Sequence, residues 1–112
     1  MAITITSDSA TISTTPYYLA SDSTTATYQT SDVILQVFID FANMVAGDQY
    51  TVAILEKINA GTARTVYSAT LSVVQSTLFV APSLVLGEGW EVSVTRNAGS
   101  DRSIAWSLRT VA

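Results

Sequence analysis

Apolar and polar residues alternate with a period of two through the C-terminal tract, a pattern that suits a half-buried strand and not an amphipathic helix. Trp90, Val92 and Val94 fall on one face, and Glu91, Ser93 and Thr95 on the other. A polar tract follows, Asn97-Ala98-Gly99-Ser100-Asp101-Arg102, and then the alternation resumes. Ile104, Trp106 and Leu108 share one face, with Ser103, Ser107 and Arg109 opposite. Alternation on both sides of a Gly/Asn/Asp-containing loop predicts an antiparallel hairpin with one buried face. Trp90 and Trp106 then face the same interior, each burying about 150–250 Å². With Val37 and Ile39 they form the expected core.

The rest of the chain repeats the signal. Val33, Leu35, Val37, Ile39 and Phe41 alternate on one face, while Ile34 and Phe38 add apolar bulk to the other. A strand apolar on both sides is either sandwiched between layers or covered by another subunit. Asn43-Met44-Val45-Ala46-Gly47-Asp48 reads as a turn with its tight point at Gly47-Asp48. Tyr50, Val52, Ile54 and Ile58 continue on one side of a further strand, and Asn59-Ala60-Gly61-Thr62 reads as a hairpin loop. Strands follow around residues 65–72 and 77–81, the latter ended by Pro82, and Leu84-Val85-Leu86 leads into the terminal pair. The expected fold is all-β: an antiparallel sandwich or flattened barrel of about seven or eight short strands.

Residues 1–31 differ in composition, with Ser and Thr supplying about half and no Lys, Arg or Glu. They read as an extended Ser/Thr-rich segment, either short edge strands or an arm that orders on assembly, ahead of a sandwich domain over 32–112. Ser7-Asp8-Ser9-Ala10-Thr11 and Ser21-Asp22-Ser23-Thr24-Thr25 resemble each other, which low-complexity composition explains without a true repeat. Tyr17, Tyr18 and Tyr28 are candidate partner contacts, whereas Tyr50 and Tyr67 lie in register with apolar neighbours.

Charged residues make up 12% of the chain, about half the usual share of a soluble domain. A surface so poor in charge either tolerates neutrality or is covered by neighbouring subunits, and the cores of interfaces are depleted of charge. The net charge is −4 and the five basic residues are scattered, which argues against nucleic acid and anionic membrane surfaces as partners. The start of the chain has neither the basic nor the apolar region of a signal peptide, so synthesis in a cytoplasm, without export machinery, is expected.

Catalysis has little to work with. The chain has no His and no Cys, so the commonest general base, metal ligands and thiolate nucleophile are missing. Glu88 and Glu91 flank Trp90 as a glycosidase pair might, but Glu88 lies in a turn and Glu91 on the polar face of a strand, where both read as solvated charges. Asp101-Arg102 reads as a local ion pair or an Asx-turn. Asp8, Asp22, Asp32, Asp40 and Asp48 are spread along the chain without the close spacing of a Ca²⁺ loop. The expected protein is not an enzyme and holds no cofactor or metal.

The tract Gly87-Glu88-Gly89-Trp90-Glu91-Val92-Ser93-Val94-Thr95, with Asn97 to Arg109 after it, resembles the C-terminal end of small tailed-bacteriophage structural proteins. In those proteins a strand leads through an Ala-Gly-x-x-Arg loop into a strand carrying a Trp. The turn at residues 43–48 fits the same pattern, and the resemblance spans roughly residues 33–111. It is to head-decoration, or cement, proteins, and it implies a virion structural protein on the capsid surface. The implied partner is the major capsid protein, and the implied state a homo-oligomer, a trimer by analogy. The candidate contacts are Tyr17, Tyr18, Tyr28, Ile34, Phe38, Arg96, Asn97, Asp101 and Arg102. A carbohydrate- or receptor-binding sandwich of a phage fibre or spike is the alternative.

Overall fold

In a computed structural model, which describes residues 2–112, the chain forms nine strands and, among the described residues, no helix. The strands are β1 (Ile3–Ile12), β2 (Tyr17–Tyr18), β3 (Val33–Asp40), β4 (Gln49–Glu56), β5 (Arg64–Ser72), β6 (Phe79–Val80), β7 (Leu84–Leu86), β8 (Trp90–Ala98) and β9 (Arg102–Val111). They make two antiparallel sheets. One has the order β1-β9-β3, with β6 and β7 in tandem along the far edge of β3. The other has the order β2-β8-β4-β5. Most connections cross from one sheet to the other, and only β4–β5 and β6–β7 stay within one. This is the strand order of a jelly roll, an all-β sandwich.

The period-2 faces close the sandwich. From one sheet Leu35, Val37, Ile39, Ile104, Trp106 and Leu108 point inward, and from the other Tyr50, Val52, Ile54, Trp90, Val92 and Val94. Each fully buried aliphatic side chain contributes about 1.5–3 kcal/mol. Phe41 closes one end, its ring centroid 6.1 Å from that of Tyr50 and 6.3 Å from that of Phe79. The expected core of Val37, Ile39, Trp90 and Trp106 is at the centre of this cluster. Ile58, expected on the buried side, is exposed, because β4 ends at Glu56 before the alternation reaches it.

The C-terminal strands do not form a hairpin. β8 and β9 belong to different sheets, so the loop between them is an arch whose two strands face each other through their side chains. Alternation with a turn between is common to both arrangements, since each buries one face of each strand. A hairpin pairs the strands edge to edge; here β8 pairs with β2 and β4, and β9 with β1 and β3. The loop after β4 is a true hairpin connection, with β5 returning along β4.

Residues 3–12 form an unbroken ten-residue ladder with β9, from Ile3 opposite Val111 to Ile12 opposite Arg102. Residues 17–29 run along β8: Tyr17 pairs with Val94, the Leu19 N–H reaches Val92 O at 2.8 Å, and Gln29 and Trp90 exchange backbone bonds. The similar tracts at 7–11 and 21–25 thereby meet. Asp8 is held below the usual carboxyl range, first by hydrogen bonding with Asp22 and then by the Ser9 N–H.

In the β4–β5 loop, Asn59 and Ala60 both have positive φ (52° and 58°), and the Gly61 N–H reaches Ile58 O at 3.0 Å. That is a type I′ turn, which favours glycine at its second central position. Ala60→Gly removes the left-handed strain and should raise stability by about 1 kcal/mol, a rise of about 4 °C in Tm by calorimetry. An unchanged or lower Tm would show that this loop does not hold the turn in solution.

Candidate functional site: a neutral sheet face and three carboxylate clamps

The sequence-derived contact residues separate into three places. Arg96, Asn97, Asp101 and Arg102 lie at the β8–β9 arch. There Asp48, 3% exposed, is the organising group. Its Oδ2 accepts from Arg102 Nε at 2.8 Å and from the Val45 N–H at 2.9 Å, and its Oδ1 from the Ser100 N–H at 3.1 Å. These bonds, the guanidinium first, hold its carboxyl down to about 2. Arg96 Nε lies 2.7 Å from Asp101 Oδ1, and its guanidinium also donates to Gly99 O. Asn97 donates to the Thr51 hydroxyl, and the Tyr50 hydroxyl donates to Ser100 O at 2.8 Å. So Asp101 and Arg102 do not pair with each other. Asp101, still in the arch, turns to Arg96, while Arg102, the first residue of β9, reaches Asp48. Asp48, the turn's tight-point residue in the sequence, is the missed member of this cluster.

Tyr17, Tyr18 and Tyr28 lie along the segment beside β8, and all three are half-buried. Tyr17 packs on Trp106 with ring centroids 5.5 Å apart and donates to Asp22 Oδ1 at 2.6 Å. Burial, then that hydrogen bond, pushes its hydroxyl up to about 12. The Lys57 ammonium sits 4.7 Å above the Tyr28 ring, an attraction between cation and ring quadrupole. Between these residues lies the largest departure from expectation. Glu91 is not solvated but fully buried. Its Oε1 accepts from the Ala20 N–H at 2.8 Å and the Val92 N–H at 2.9 Å, and its Oε2 from the Ser21 hydroxyl at 2.5 Å. The face of β8 that alternation assigns to water is covered by residues 19–29. Glu88 is exposed, as expected. Glu56 does a similar job on the next loop, accepting from the Gly87 N–H at 2.7 Å and the Glu88 N–H at 3.0 Å.

No group of three His, Cys, Asp or Glu residues able to hold a metal occurs among the described residues. Asp48, Glu56 and Glu91 are each occupied in fixing a backbone loop. A carboxylate already accepting two or three hydrogen bonds has little free lone-pair capacity for a substrate or ion.

Ile34 and Phe38 lie on the outer face of the five-stranded sheet, where paired residues point to the same side. Ile3 is opposite Val111, Val111 opposite Ile34, and Ile34 opposite Val85. An aliphatic row therefore crosses four strands, with Ile3 62% and Val85 82% exposed. The next row is Ile5, Arg109 and Gln36, and the one after it Ser7, Ser107, Phe38 and Val80. Arg109 and Asp40 are the charged strand residues of this face. The Arg109 guanidinium lies 4.0 Å from the Phe38 ring centroid, flat against the sheet. Ile3 and Ile5 read from the sequence as residues of a sheet edge or a neighbour contact, and they lie on edge strand β1; Val80, Val85 and Arg109 are the contributors that the sequence reading did not single out.

No protein-family model and no curated protein matches the chain. Solved structures share its architecture. A chain from Bacillus endospore appendages, described as a family of disulfide-linked pili, matches with a TM-score of 0.58 at 12% identity, over 96% of this chain and 85% of its own. The Yersinia pseudotuberculosis-derived mitogen matches with a TM-score of 0.53 at 14% identity, over 97% of this chain and 86% of its own. At such identities the likeness is one of fold.

Proposed function

We propose that this chain is a non-enzymatic structural protein that works by assembly, and specifically a capsid decoration protein of a tailed-phage head. The observation that carries the reading is the outer face of the five-stranded sheet. A solvated sheet face normally carries polar residues, whereas this one presents Ile3, Ile5, Ile34, Val80 and Val85 to solvent. Contiguous exposed apolar surface marks an interaction site. The occupied carboxylates favour the same reading, since they rigidify loops and leave the surfaces as the working parts. Jelly rolls serve capsid and lectin domains alike, so fold alone does not choose between them. The half-buried, internally bonded Tyr17 and Tyr28 favour assembly over a glycan-stacking platform. The spore-appendage neighbour belongs to a disulfide-linked pilus; these 112 residues contain no cysteine, so assembly here rests on non-covalent burial repeated over many copies.

In this role the protein sits on the capsid surface as a homo-oligomer, bridging coat subunits so that losing any one of them also breaks decoration contacts. Purified virions of a phage that encodes the chain should contain it by mass spectrometry, and heads lacking it should open at lower temperature. Its absence from such virions would end the reading.

A further inference from the structure

We propose that a second copy of this chain covers the outer face of the five-stranded sheet, the two sheets packing face to face about a twofold axis. This rests on the reading of that face as an assembly surface and names its occupant.

The aliphatic row supplies the symmetry. Across β1, β9, β3 and β7 it reads Ile3, Val111, Ile34, Val85. A twofold axis running along the strands, between β9 and β3, lays this row over itself. Ile3 then meets Val85 of the second copy, and Val111 meets Ile34, so aliphatic faces aliphatic at all four steps. An isologous contact requires this kind of self-complementarity. The relief of the face agrees. Asp32, Val33, Ile34, Val85, Val111 and Ala112 line a shallow depression of about 270 Å³, open to solvent and mostly apolar. It has room for a branched aliphatic side chain from the opposite row. A smaller hollow of about 140 Å³ lies between Phe38, Leu78 and Arg109 on the same sheet.

Charge and area point the same way. Arg109 lies down over Phe38, and Asp40 is six residues along β3 from Ile34, at the far end of the face. The row itself carries no charge, and the charged side chains nearest it, Asp32 at the rim of the depression and Arg109 in the next row, lie at its margins, where an interface keeps its polar groups. Strands of ten, ten and eight residues, with the two short strands beside them, give a face of roughly 500 Å² per copy. Two copies bury about 1,000 Å², the level that separates specific interfaces from incidental contacts. Sheets packed in this way sit about 10 Å apart with strands near −30°.

Sedimentation equilibrium over a wide dilution series tests this. The wild-type chain should be a dimer that dissociates on dilution. Ile34→Lys and Val85→Lys should each weaken it tenfold or more, with the circular dichroism spectrum unchanged because both side chains face solvent in the single chain. Thr70→Lys, exposed on the other sheet, should leave it intact. Val85 is the more exposed of the two and keeps the test valid should Ile34→Lys unfold the chain. A wild type that stays monomeric throughout, or a dimer indifferent to both lysines, overturns the proposal. Co-sedimentation with phage heads separates the two readings. Head binding by a strictly monomeric chain sinks the dimer and leaves the decoration role standing. A lysine-sensitive dimer that ignores heads does the reverse.

Discussion

Glu91→Ala is expected to cost about 3–5 kcal/mol, lowering Tm by roughly 10–20 °C, because three donors lose their acceptor inside the protein. The Ala20 and Val92 N–H groups and the Ser21 hydroxyl all converge on this carboxylate. Glu91 and Val92 are fully buried, so water can replace the lost acceptor only at the half-buried Ala20 and Ser21. The loss reaches further than one side chain. Ser21 also accepts from the Thr27 N–H at 2.9 Å, so the whole 19–29 segment is tied to β8 through Glu91. Limited proteolysis should therefore cut the variant between residues 20 and 30 before the sandwich itself opens. Glu88→Ala is the control, because that side chain is exposed and should change Tm by no more than a degree or two. If Glu91→Ala melted like wild type, the segment would not be docked as described.

Gly99→Ala should be nearly as damaging, at about 2–4 kcal/mol. Gly99 has φ +88°, a left-handed conformation that a side chain strains, and an added Cβ would collide with Asp48 Oδ1. The same clasp carries a pH signature. Asp48 titrates at about 2 when folded, against 3.8 for the free carboxyl. A depressed carboxyl stabilises the fold fully above 3.8 and ceases to do so as pH falls toward 2. Melting curves of wild type and Asp48→Asn should therefore be well separated at pH 7, draw together below about pH 4 and converge only near pH 2. A gap as wide at pH 2 as at pH 7 would mean that the guanidinium and the two N–H groups are not what Asp48 serves. At neutral pH the Arg102 partner stays charged, so the clasp itself has no switch in the physiological range.

How legible the molecule was depends on the kind of interaction. Alternation at residues 33–41, 50–54, 90–94 and 104–108 was enough to put the inward faces together, because period-2 burial is a property of one strand and its immediate neighbours in sequence. The turn at Gly47 and the loop at residues 59–62 were legible for the same local reason. The partnership of strands was not. Ile104 looks the same to its neighbours whether β9 pairs with β8 or faces it across the core. The N-terminal segment was ambiguous because Ser and Thr suit an edge strand, a loop or an arm equally well. Its long ladder with β9 depends on an edge supplied by residues a hundred positions away.

The candidate contacts divide in the same way. Arg96 and Asp101 could be seen as a charged loop, but Arg102 needed Asp48, 54 residues earlier, to acquire a role. Ile34 stood out as an apolar residue on the wrong face of its strand. Nothing in the sequence joined it to Ile3, Val85 and Val111, since a row across a sheet has no fixed spacing along the chain. Glu91 was misjudged because its face of β8 is polar by pattern and yet covered by a segment that only the tertiary fold lays over it.

By itself, then, the sequence determined an all-β sandwich, its inward faces and the absence of the commonest catalytic side chains. Those follow from composition and from a periodicity that one strand carries alone. The tertiary structure decided which strands pair, which carboxylates are buried as clamps, and which outward residues line up as one apolar row. Each of these depends on register between distant segments, and register is set by the packing of the whole sandwich.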